Sequence, residues 1–190
     1  MSSTFTSPIR VFKRNNPTND GTIAPDNTGA VRLSQQQYIT NPITAVTAGT
    51  TTFTTAPVGT TTAVPFVIPA GSILESFSLY QDVAAGGLVG GVITVSISIT
   101  NPSTGAVTTT AIGSITPTAA GGRIAGVFTA SAAIADIIKN IGPLDATMVF
   151  GAAAVTTLTS GSLGGTLDVN YTARNADGSI IAYGSGYTNN

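Results

Sequence analysis

The clearest alternation in the chain runs through GVITVSISIT, where Ile93, Val95, Ile97 and Ile99 fall on one side and Thr94, Ser96, Ser98 and Thr100 on the other. A period of two is that of a strand with one face buried. The turn formers NPSTG follow, and AVTTTAIGSI returns as the expected hairpin partner. Upstream, AVPFVIPAGSILESFSLYQD holds two apolar runs divided by Pro-Ala-Gly, which predicts a tight corner between strands and not a helix. In its second run Ile73, Glu75, Phe77 and Leu79 share one parity, and Leu74, Ser76, Ser78 and Tyr80 the other. Neither set is purely polar, so cover on both faces is expected. Residues 42–62 mix β-branched residues with Gly and Pro and suit one or two short edge strands, and GRIAGVFTA reads as one more short strand. ATMVFGAAAVTTLTSG and GTLDVNYTARNADGSIIAYG supply the last strands. Leu167, Val169 and Tyr171 alternate with Asp168, Asn170 and Thr172, and NADG is a hairpin turn from which residues 180–183 run back.

The period changes once. In SAAIADIIKNIG, Ile134, Ile137, Ile138 and Ile141 recur at spacings of three and four, Ser131 stands where an N-cap belongs, and Gly142 and Pro143 end the run. This predicts a helix of three turns at most, lying across one end of the sheets. Eight or so strands with turn signals between them and one short helix make an all-β chain. The expected fold is a β-sandwich, jelly-roll-like, over residues 36–190. An immunoglobulin-like order is not separated from a jelly roll by this pattern. A β-solenoid would need a repeat of constant period, and the sequence has none.

Composition adds an arm and removes most chemistry. Residues 1–35 carry Arg10, Lys13, Arg14 and Arg32, four of the seven basic residues of a 190-residue chain, together with the turn formers KRNNPTNDG and APDNTG. They read as an extended N-terminal arm, with the sandwich domain following. A net charge of −1 indicates neither a nucleic-acid partner nor a basic membrane anchor, and no apolar run is long enough to span a bilayer. Only 8% of residues are charged, while Thr numbers 32 and Gly 22. So neutral a surface favours association, and self-assembly is expected.

The chain has no His and no Cys, so histidine bases, cysteine nucleophiles, disulfides and thiolate metal sites are excluded. Glu75 and Asp168 are the acids that strands could present together for glycoside hydrolysis, which needs two carboxylates at a set spacing. With no Trp to stack sugars, the ordinary reading of Glu75 as a partly exposed or lysine- or arginine-paired edge position is preferred. Asn19, Asp20, Asp26 and Asn27 could offer oxygens to calcium, yet they match no calcium-loop spacing and an Asx turn explains them. No cofactor and no enzyme activity are expected.

Three phrases, DGTIAPDNTGAVRLSQQ, AVPFVIPAGSILESFSLYQ and GTLDVNYTARNADGSI, resemble the small virion proteins of tailed bacteriophages, among them the capsid decoration or cement proteins. In that group an IPAGS-I corner leads into a long strand. The resemblance covers about half of the chain and implies a sandwich on the outer capsid surface of a virion assembled in the host cytoplasm. Its implied partners are the major capsid protein and further copies of itself, as a trimer. Ile9, Arg10, Phe12, Lys13, Arg14 and Arg32 are the expected coat contacts, with Phe12 as an aromatic anchor between basic residues. The alternative is a head-fibre or tail-associated module that binds a glycan receptor. Its only candidate residues in sequence are Tyr183 and Tyr187 near the C-terminus.

Overall fold

The computed structural model describes residues 31–44, 51–82, 92–118, 121–153 and 163–173. Eleven strands and one helix lie in them: β1 (Val31–Ile39), β2 (Thr51–Thr52), β3 (Thr55–Pro57), β4 (Phe66–Ile68), β5 (Ile73–Gln81), β6 (Val92–Thr100), β7 (Val107–Ile115), β8 (Gly122–Ala125), β9 (Val127–Phe128), α1 (Ala132–Lys139), β10 (Ala146–Ala153) and β11 (Gly165–Ala173). They form two antiparallel sheets. The first runs β3-β1-β11-β5-β8 and the second β2-β10-β6-β7-β9, with β4 also paired to β10.

The alternating segments become the long central strands. In β6, Ile93, Val95 and Ile97 are buried, and the strand pairs with β7 through the expected hairpin. In β11, Leu167, Val169 and Tyr171 are buried. One apolar cluster takes side chains from both sheets. Phe77 of β5 meets Phe128 of β9 edge to face with centroids 4.9 Å apart, and Phe66 of β4 meets Phe150 of β10 at 5.6 Å. Such contacts add modestly to the apolar area removed from water.

The mixed parity of β5 has a mechanical cause. Ser76 pairs with Asn170 and Leu74 with Tyr171, so Glu75 is an extra residue that β11 does not match. This bulge shifts the alternation by one and brings Leu74 to the same buried side as Phe77 and Leu79.

GRIAGVFTA is two strands, not the single strand expected. Its first half, β8, pairs with β5 in the first sheet, and its second half, β9, pairs with β7 in the second. The chain changes sheets at Gly126, whose N–H donates to the Phe77 carbonyl at 2.8 Å. A Cβ there would overlap the Phe77 ring, so only glycine lets the backbone pass.

The segment from β2 to β4 likewise leaves the second sheet, joins β1 through β3, and returns. Asn41 fastens this excursion: its amide donates to the Thr52 carbonyl at 3.0 Å and its Oδ1 accepts from the Thr54 N–H at 2.6 Å. Helix α1 begins at the expected Ser131, whose hydroxyl accepts from the Ile134 N–H at 3.2 Å. It ends beside the Pro-Ala-Gly corner, where the Ile141 N–H donates to the Ser72 carbonyl and the Gly71 N–H to the Gly142 carbonyl. Among the described residues no helix is long and apolar enough to cross a membrane.

Residues 31–35, the end of the expected arm, are the first half of β1 and pair with β11 over Val31–Tyr38. Sequence reasoning missed this strand because two of its inward positions are glutamines. Gln35 and Gln37 lie opposite the buried Val169 and Leu167, and bond the Tyr171 hydroxyl and Thr55 respectively. Gln37 is buried and Gln35 half-buried, and such amides are tolerable when their donors and acceptors are matched in this way.

Candidate functional site

The face of the first sheet turned away from the core is the most organised polar surface among the described residues. Strand register arranges it in rows. Tyr38 of β1, Thr166 of β11, Tyr80 of β5 and Arg123 of β8 stand side by side. Their chain neighbours Ile39, Leu167 and Leu79 are fully buried, so alternation turns this row outward. Tyr38 and Tyr80 are 39% and 38% exposed, and the Arg123 guanidinium lies 5.5 Å from the Tyr80 ring centre. The next row is Gln36, Asp168 and Ser78, and the one after it Ser34, Asn170 and Ser76.

Asp168 organises these rows. It is 4% exposed, and its Oδ1 accepts from the Ser34 hydroxyl at 2.6 Å and the Gln36 amide at 3.3 Å, while Oδ2 accepts from the Asn170 amide at 2.8 Å. Asn170 also reaches Ser76 Oγ at 3.3 Å. A buried carboxylate is retained only where such donors surround it, and here it fixes three polar side chains in place. The hydroxyl of Ser78, opposite Asp168, is buried without a partner.

The far end of this face holds Arg32, the one expected coat contact inside the described residues. Arg32 Nε lies 3.0 Å from Glu75 Oε2, and Thr172 donates its hydroxyl to Glu75 Oε1. Glu75 is therefore arginine-paired, one of the alternatives the sequence left open. The Arg32 side chain is 80% exposed, so the pair adds little to stability. Glu75 and Asp168 are each engaged by their own partners, Glu75 by Arg32 and Thr172 and Asp168 by Ser34, Gln36 and Asn170.

Ile9, Arg10, Phe12, Lys13 and Arg14 lie outside the described residues, as do the candidate calcium oxygens of Asn19, Asp20, Asp26 and Asn27 and the tyrosines Tyr183 and Tyr187. Tyr38, Tyr80, Gln36 and Arg123 carry no signal of their own in the sequence. Treating VRLSQQQYI as a strand on its Leu33 and Ile39 parity would have turned Gln36 and Tyr38 outward.

A second feature is an open cavity of about 290 Å³ where the excursion between β2 and β4 stands off β10, lined by Phe53, Val64, Pro65, Met148 and several threonines. Among the described residues no charged side chain lines it. Among the described residues no three potential metal ligands come together. A scan of family models, a search of curated proteins and a search of solved structures each return no match to this chain.

Proposed function

We propose that the chain is a structural virion protein, a β-sandwich of jelly-roll order that binds the outer surface of a phage capsid and stabilises contacts between coat subunits. The observation that carries this reading is the strand order. With β2 and β4 counted as two pieces of one interrupted strand, and β3 and β9 as short additions, eight principal strands remain. The first sheet then takes them in the order first, eighth, third and sixth, and the second in the order second, seventh, fourth and fifth. Exchange of strands between two sheets in this way supports a jelly roll, an architecture used by viral capsid and lectin domains.

Fold alone does not assign function, so the surface must support the same reading. Residues 92–118 contain no charged side chain, and from Val107 to Ala111 the outer edge of β7 has no paired strand among the described residues. An uncharged, β-branched edge is a place for another chain to add. Copies of the protein and the major capsid protein are the proposed partners, with a trimer as the self-assembled form.

Cryo-electron microscopy of particles that carry this chain, with copies per particle counted by mass, tests the proposal. Density over the outer shell at a copy number comparable with that of coat subunits supports it. A few copies at a vertex or tail would replace it with the head-fibre or tail-associated module, the second reading, which the exposed tyrosine row of the first sheet favours.

A further inference from the structure

We infer that the outward face of the first sheet is a binding platform for an uncharged polyhydroxylated ligand, a neutral glycan chain, with Tyr38 and Tyr80 as its stacking surfaces. Three observations converge on it. The two rings project from strands on either side of β11 in one cross-strand row, which sets them about 10 Å apart, the span of about two linked sugar rings. Thr166 between them is the smaller residue, so the row is a shallow saddle with an aromatic wall at each end. A tyrosine ring offers an electron-rich face to the polarised C–H groups of a sugar, and its hydroxyl stays in contact with water.

Beside this row stand Gln36, Ser34 and Asn170, each held by Asp168. Preset amides and hydroxyls bind sugar hydroxyls with less loss of side-chain freedom than mobile ones. The four named charges of the face balance. Asp168 is buried under its three donors, Arg32 faces Glu75, and Arg123 keeps its positive charge beside the Tyr80 ring. That balance selects against nucleic acid and polyanionic sugars, and the preset amides and hydroxyls beside the two tyrosines give the hydroxyls of a sugar direct partners. Asp168 is a positioning residue here, because it touches Ser34, Gln36 and Asn170 and is itself out of reach. The platform rests on its own geometry and holds on a shell or on a fibre.

The test uses the full chain on an array of neutral and acidic bacterial polysaccharides, followed by titration calorimetry with the strongest responder. The expected result is binding to neutral members that is insensitive to salt. The Y38A/Y80A variant should bind at least about tenfold more weakly with an unchanged Tm, and Y38F/Y80F should retain most of the affinity. Amide shift mapping with the same polysaccharide should move Thr166 and Gln36, a readout that needs no variant. The inference is overturned by an array on which nothing binds, by binding confined to acidic members, by affinity that survives Y38A/Y80A, or by shifts located elsewhere.

Discussion

Gly126 lets the backbone change sheets against the ring of Phe77, which is itself almost fully buried. Replacing it with alanine forces the ring or the crossing to move. G126A should lose about 1–3 kcal/mol in chemical denaturation, the usual range for overpacking. Ser78 poses the opposite case, because its buried hydroxyl has no partner. S78A removes a desolvated polar atom, and the same denaturation series should find it neutral or stabilised by up to about 1 kcal/mol. Arg32 is largely exposed, so R32A should stay within about 0.5 kcal/mol of the parent. If R32A weakens shell attachment in a particle-binding assay, the cause is then the binding surface and not the fold. Neither of the first two effects was legible in the sequence. A glycine between apolar residues looks like any weak point of a strand, and the outward side of Ser78 follows only once the bulge at Glu75 is known.

At the scale of elements, the sequence carried β6, β11 and α1 because each has one clean period, and β7 because the NPSTG turn returns it to β6, although a bulge at Ile112 breaks its alternation. The helix also carried its own start signal, and S131A, which removes the acceptor of the Ile134 N–H, should lower stability by about 1 kcal/mol by thermal or chemical denaturation. β1 stayed hidden because glutamines stand at Gln35 and Gln37, where valine or leucine would have completed the alternation. The partners that make those amides acceptable, Tyr171 and Thr55, are distant in the chain. β8 and β9 read as one strand because a sheet change leaves no mark in a period-two pattern. The edge of β7 that is unpaired among the described residues is itself testable. T109K places a charge in its middle, the commonest natural protection of an edge, and sedimentation velocity should find less self-association with no fall in Tm.

Taken whole, the two sheets share one core, so calorimetric unfolding should be a single cooperative transition over the described strands. The all-β class and most of the core were readable because buried alternation is a local signal. The candidate face was not, since it is assembled from β1, β5, β8 and β11, whose members lie far apart in sequence. Only register brings Tyr38, Thr166 and Tyr80 into one row.

The place of β11 has a further consequence, in time. It lies between β1 and β5 as the middle of the first sheet, yet it is made after all the other described strands. During synthesis at about 5–20 residues per second, β1 and β5 must wait roughly 5–20 s on the ribosome with their adjoining edges unfilled. Through that interval the nascent chain presents two unprotected strands to its neighbours on the same message. In the proposed capsid role, which calls for many copies, translation speed and chaperone supply, as well as stability, would be determinants of yield.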